Sequence, residues 1–240
     1  MIAIVRLIIL FCLIILVTAY GLLLCLVLGR SKDRVYYVAK TFSPVARLFG
    51  LSVTKHVSYK SLDVKQAVYV ANHQNNYDLF TFSHVVPHGV VTVGKSSLRW
   101  LPFFGWLYWA SGNFLIHRHD RNKAIATISE IVDNMRETGL SIWMFPEGTR
   151  SRGRGWLPFK RGAFHAAIQA QVPIIPIVCS STHKQVSLNR LDNGPVKVEI
   201  MDPIFTEGLT DADIPDLVAR CESLMQAKQA EMDLELERKR

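Results

Sequence analysis

His73 and Asp78, with four residues between them, stand in "ANHQNNYDLF", residues 71–80, directly after the apolar run "AVYV". A histidine steadied by a carboxylate is a general base: the carboxylate fixes the tautomer and stabilises the imidazolium formed when a proton is taken. The spacing dictates the backbone between them. On one helix, residues five apart are rotated about 140° away from a shared face. On a strand, an odd offset puts them on opposite faces. A turn lets them meet, and Asn75 and Asn76 are turn formers. The expectation is His73 at a strand's end, a turn, and a helix opening near Tyr77 with Asp78 in its first turn.

Three further stretches carry reactive or binding groups. "GNFLIHR", residues 112–118, is a strand-like run ending in Arg118. "FPEGTRS", residues 145–151, follows an apolar run and turns at Pro146 and Gly148. It puts Glu147 and Arg150 at the C-terminal end of a strand, where open α/β sheets hold ligands. "VPIIPI", residues 172–177, is an apolar strand bracketed by Pro173 and Pro176. There is no G-x-S-x-G nucleophile elbow. Cys12, Cys25, Cys179 and Cys221 stand far apart with no C-x-x-C, which fits a reducing compartment better than a disulfide framework or metal knuckle. His84 and His88, like His117 and His119, are closely spaced, but no third ligand cluster accompanies them. No metal is expected.

These groups need a scaffold. Strand-like runs fall at 52–56, 67–71, 90–93, 114–116, 141–145, 174–178 and 196–200. Helical periodicity covers 120–136 through Ala124, Ile128, Ile131 and Met135, and 211–239 through Ile214, Leu217, Cys221 and Leu224, with Asp211 or Asp213 as N-cap. Strands alternating with helices predict an α/β fold: a mostly parallel mixed sheet flanked by helices, built from residues 51–240.

Residues 1–50 read as membrane-anchoring helices. Residues 7–29 carry no charge and, as a helix, reach roughly 34 Å, enough to cross a hydrocarbon core. Arg30, Lys32 and Arg34 follow, against Arg6 before, so the positive-inside rule puts the rest in the cytoplasm. Residues 33–50 carry an apolar stripe (Val35, Val38, Ala39, Phe42, Val45, Ala46, Phe49) opposite Lys40 and Arg47, bent at Pro44. That is either a basic amphipathic helix suited to headgroups or an ordinary surface helix packing on the domain. The net charge of +8 points to anionic lipid, nucleic acid or an acidic substrate or carrier without choosing among them. The loop "RSRGRGWLPFKR", residues 150–161, has five basic residues, no acidic one, and Trp156 and Phe159; it suits anionic lipid at a membrane interface, the CoA phosphates or an acidic carrier protein, or is a solvated basic loop.

In order and spacing, the four stretches resemble the four motifs of the glycerolipid acyltransferases. "TVGKSSL", "PFFGWLYW" and "SIWMFPEGTRSRGRG" are similar to the bacterial 1-acyl-sn-glycerol-3-phosphate acyltransferases, and the resemblance covers nearly the whole chain. It implies acyl transfer from acyl-CoA or acyl-carrier protein, as co-substrate, to the sn-2 hydroxyl of lysophosphatidic acid, giving phosphatidic acid. It implies no cofactor and no nucleic acid. It implies His73 as base and Asp78 as its orienting group, with Arg118, Glu147, Gly148 and Arg150 on the glycerol-phosphate acceptor. It implies membrane lipids as surroundings and a bacterial inner membrane with the catalytic part on the cytoplasmic side. Departures are Leu115 where the second motif has Phe, His117 at an often acidic position and Asn75 in place of a frequent Ser. Other readings of the same residues are remodelling of another lysophospholipid, hydrolysis, and a non-enzymatic basic membrane adaptor.

Overall fold

A computed structural model describes residues 2–118 and 120–238. Seven strands, β1 (Leu51–Val57), β2 (Val68–Ala71), β3 (Val90–Lys95), β4 (Phe114–Ile116), β5 (Ser141–Met144), β6 (Ile174–Cys179) and β7 (Gly194–Ile200), form one sheet in the order β1-β7-β6-β2-β5-β3-β4. All neighbouring pairs are parallel except β6 with β7. The expected α/β class and mixed, mostly parallel sheet are what the chain forms, and all seven strand runs are strands.

Both sheet faces are covered, which is why the central strands read as unbroken apolar runs. Val68, Val70, Ile142, Ile174 and Val178 enter one core. Tyr69, Ala71, Trp143, Ile175, Ile177 and Cys179, one residue out of phase, enter the other. Each Val or Ile among them contributes on the order of 1.5–3 kcal/mol when taken from water.

The helices are α1 (Ile2–Leu28), α2 (Arg34–Phe42), α3 (Val45–Leu48), α4 (Tyr59–Leu62), α5 (Asp78–Phe82), α6 (Phe104–Ala110), α7 (Arg121–Thr138), α8 (Gly162–Ala170) and α9 (Ile214–Glu237). Helix α7 starts where the Asp120 carboxylate accepts the Lys123 N–H, and it ends at Gly139, whose φ of 69° suits glycine. Asp213 does not cap α9 with its side chain. Its carboxylate instead reaches back to the Thr210 N–H at 2.7 Å, in a capping box around the 3₁₀ turn that precedes the helix.

Two findings bear on the alternatives left open for the N-terminal region. The stripe of residues 33–50 does not face outward. Val35, Val38, Phe42, Val45, Ala46 and Phe49 are buried against the sheet, and the helix breaks into α2 and α3 at Pro44. Helix α1 is apolar and long enough to cross a membrane, yet it lies along the domain. Near its start, the buried Arg6 donates to the carbonyls of Leu188 at 2.8 Å, Arg190 at 2.5 Å and Leu191 at 3.0 Å. Near its end, Gly21 meets Leu107 of α6. Its other side exposes Ile4, Ile8, Phe11, Leu16, Leu23 and Leu26.

Candidate active site

The polar groups gather at the C-terminal ends of the parallel strands. Strand β2 ends at Ala71, and Asn72 continues it by side chain: its Oδ1 accepts the Cys179 N–H at 2.8 Å and its Nδ2 donates to the Cys179 carbonyl at 2.9 Å. The amide thus supplies one more rung between β2 and β6. His73 comes next. Its N–H donates to Glu147 Oε1 at 2.6 Å, and its carbonyl accepts the Ser151 N–H at 2.8 Å. The loop after β5 therefore holds the His73 main chain from both sides.

The expected turn follows. Asp78 opens α5, and its Oδ2 accepts from three donors: Gln74 N–H at 2.7 Å, Asn75 N–H at 3.1 Å and His73 Nδ1–H at 2.6 Å. Asn75 Oδ1 in turn accepts the Tyr77 N–H at 2.9 Å. A carboxylate can only accept, so the Nδ1 proton is assigned from this contact and Nε2 keeps its lone pair. The imidazole lies on Phe145, ring centroids 4.1 Å apart and planes 19° apart. Its side chain is 15% exposed against 2% for Asp78. The acid is sealed in and the ring can still be reached.

Glu147 lies inward of the histidine rather than beside an acceptor space. It is buried, with Oε1 on the His73 N–H and Oε2 on the Leu157 N–H at 3.2 Å. Burial pushes its carboxyl up to about 7, against the pull of those two donors, and the nearby Asp78 charge adds to the rise. Gly148, at φ 71°, turns the chain, and a Cβ there would lie 2.9 Å from Lys160 Cε. Its carbonyl accepts from Arg118 Nη1. Burial lowers the Arg118 pKa and the positive Arg150 lowers it further, so the two guanidinium groups feel one another. Arg150 Nε is buried without a hydrogen-bond partner. Each guanidinium, one on the Gly148 carbonyl and one with an unused donor, is suited to an anion, though Arg150 is not among the residues that line the cleft.

A cleft of about 670 Å³ runs from this basic corner. Arg118, Gly148, Lys160 and Arg161 line one part; Val93, Ile116, Ile125, Ile128 and Met144 line another. His73 is not among the lining residues and meets the cleft through Phe145. The arrangement offers a base, a cationic corner and an apolar channel, which together suit an amphiphile carrying an anionic group and a hydroxyl.

The sequence profile of the acyltransferase family matches residues 52–180, more than half of the chain. The chain belongs to the acyltransferase family. Among its relatives, it is 50% identical to the 1-acyl-sn-glycerol-3-phosphate acyltransferase of Haemophilus influenzae, over 92% of each chain. It is also 50% identical to the Escherichia coli enzyme of that name, over 92% of this chain and 91% of the other. The crystal structure of the 1-acyl-sn-glycerophosphate acyltransferase of Thermotoga maritima superposes with a TM-score of 0.74 over 96% of this chain and 94% of that one, at 20% identity, a likeness of fold.

Within this acyltransferase, all six candidate residues lie on three neighbouring turns. His73 and Asp78 touch, Arg118 reaches Gly148, and Glu147 faces His73's backbone. Sequence reasoning did not single out four supporting residues. Asn72 and Gln74 flank the histidine and are buried; Gln74 Nε2 donates to Ser180 O at 2.8 Å and its Oε1 accepts the Thr182 N–H at 2.9 Å. Their signal was polarity directly after a buried strand. Phe145 and Lys160 stood inside quoted motifs. The aromatic residues of the basic loop turn inward: Phe159 is buried and Trp156 packs on the core beside it, ring centroids 5.9 Å apart. They are not interfacial anchors. His84 bonds the Phe80 carbonyl at 2.9 Å, His88 stacks on Tyr36, and His119 lies outside the described residues.

Proposed function

We propose that this acyltransferase moves an acyl group from a thioester, acyl-CoA or acyl-carrier protein, to the sn-2 hydroxyl of 1-acyl-sn-glycerol 3-phosphate, giving phosphatidic acid for phospholipid synthesis. The observation that carries the reading is the 2.6 Å contact between His73 Nδ1 and Asp78 Oδ2 beside a cleft that is cationic in one part and apolar in another. The relatives' names agree with it.

The residues perform the step as follows. Nε2 of His73 takes the hydroxyl proton as the oxygen attacks the thioester carbon, a contribution of about 10²–10⁴-fold for such a base. Asp78 stabilises the imidazolium. The C–S bond then breaks, and the thiolate takes the proton back from the imidazolium. A thiol's low pKa, about 8.5, makes it a good leaving group, so one base suffices and no acyl-enzyme is needed. The described cysteines fit that economy: Cys179 and Cys221 are buried, and burial raises both thiols. Arg118 and Arg150 receive the acceptor phosphate, and Glu147 and Gly148 shape the turn that holds them. Helix α1 keeps the enzyme on the cytoplasmic leaflet of a bacterial inner membrane, embedded along its exposed side.

The test is transfer by purified His73→Ala. The expected result is loss of phosphatidic acid formation from labelled acyl-CoA and lysophosphatidic acid, with folding and membrane association intact. Near wild-type transfer by the variant overturns the mechanism. A panel of other lysophospholipids run alongside decides the acceptor.

A further inference from the structure

Between β3 and β4 the chain exposes four large apolar side chains within ten residues. Trp100 is 77% exposed, Trp106 61%, Trp109 76%, and Leu101 lies beside them at 48%. Soluble surfaces seldom leave such groups together and uncovered. They are not ragged ends of a loop. Trp106 and Trp109, three apart on α6, share one side of the helix. Leu107, on the other side, is 2% exposed and seated on Gly21 of α1, where a Cβ would lie 2.7 Å from its Cδ1. Tyr108 of the same helix is tied to the sheet by a 2.7 Å hydrogen bond from Thr92 Oγ1. The tryptophans are presented by a fixed helix.

We propose that residues 96–110 form a second lipid-contacting surface, with Trp100, Trp106 and Trp109 seated in the headgroup region of a phospholipid bilayer. The proposal rests on the reading of α1 as membrane-embedded and adds a surface to it. Continuity is one argument: α6 lies directly on α1, the helix whose free side exposes Leu16, Tyr20 and Leu23. Charge is another. From Leu79 to Arg118 the sequence has no acidic residue, while exposed Lys95 and Arg99 flank the patch. The Arg99 guanidinium lies 5.2 Å over the Trp100 ring, pairing an apolar plate with a cation suited to anionic headgroups. Tryptophan itself, apolar in body with one N–H, is suited to that boundary.

The location gives the surface a purpose. The segment enters from the C-terminal end of β3 and leaves into β4, whose C-terminal end leads to Arg118 two residues later. Seating the tryptophans at headgroup depth brings the cationic corner of the cleft to the level of a lysophospholipid's phosphate, so the acceptor needs no passage through water.

The experiment uses the full chain with vesicles of phosphatidylethanolamine and phosphatidylglycerol, with and without brominated acyl chains. Trp143 is buried and Trp156 packs on the core, so lipid-dependent quenching reports the other three. The wild type floats with vesicles, and bromine removes about half of its emission. The variant W100F/W106F/W109F floats equally and is not quenched. Failure of the wild type to float overturns both the membrane reading and this surface. Flotation with emission as insensitive to bromine as the variant's overturns this surface alone. If, in addition, the variant in detergent has half the mass of the wild type, the face belongs to a second copy of the chain. As a second readout, Trp106→Ser with Trp109→Ser raises the apparent KM for vesicle-borne acceptor roughly tenfold with kcat unchanged. A water-soluble short-chain acceptor is unaffected. Equal losses with both acceptors overturn the proposal.

Discussion

Two backbone N–H groups, of His73 and Leu157, end on the two oxygens of one buried carboxylate, Glu147. The resemblance of the motif to its family implies an acceptor-binding residue here; the two hydrogen bonds support, as our proposal, a positioning role for the base. Its ionisation has a readable sign. The carboxyl titrates near 4.5 in the unfolded chain and about 7 when folded, chiefly through burial. Between those values the folded state binds more protons, so this group's contribution to stability falls as pH rises from 4.5 to 7. Glu147→Gln removes that titration. The expected outcome is a Tm difference, wild type minus variant, that declines across the same window, measured by thermal melts at several pH values. Glutamine has one acceptor oxygen for two donors, so kcat falls while KM for the acceptor stays close to wild type. A rise in KM alone would return Glu147 to acceptor binding.

Elements bring these residues together through short side-chain rungs. The peptide N–H of Cys179 has Asn72 Oδ1 as partner, and its carbonyl takes three amides, from Asn72, Gln74 and Gln229. Asn72→Ala leaves the buried N–H without that acceptor, at a cost of about 1–3 kcal/mol. Urea denaturation of solubilised protein should show that loss, together with a drop in kcat as His73 loosens. The strands were legible as brief runs rich in β-branched and aromatic residues, three of them stopped at once by Asn72, Gly94 or Pro146, and the turn of residues 73–78 because neither helix nor strand lets that pair touch. Helix α8 was not legible. Its stretch "GAFHAAIQA" buries Ala163, Phe164, Ala166, Ala167 and Ile168, too much of its circumference to leave a polar face. The stripe of α2 and α3 was visible in sequence, but periodicity does not say whether lipid or a sheet covers it. Nor does a motif say which way Glu147 points, since that is decided by the N–H groups of residues far along the chain.

At the scale of the molecule, the proposed membrane association raises the question of how α1 and the catalytic domain would share a bilayer. Apolar length alone predicts a crossing helix. Arg6 argues otherwise: the residue is 6% exposed, and its guanidinium spends donors on carbonyls of the loop around residues 188–191. The Ala3 N–H also donates to Asn189 Oδ1 at 3.0 Å. A helix held at its start by the domain, and at Gly21 by α6, cannot carry its N-terminus to the far side of a bilayer while the domain stays on the near side. Sinking the domain instead would bury its charged loops in hydrocarbon, at several kcal/mol per unpaired charge. An in-plane helix would satisfy both constraints, turning the exposed Ile4, Ile8, Phe11 and Leu16 toward the acyl region. The prediction is one-sided labelling. In a Cys12→Ser background, Ala3→Cys and Asn189→Cys should react with a membrane-impermeant maleimide from the same, cytoplasmic face of oriented vesicles. Labelling of Ala3→Cys from the opposite face would mean that the Arg6 contacts are absent in the membrane and that the helix crosses.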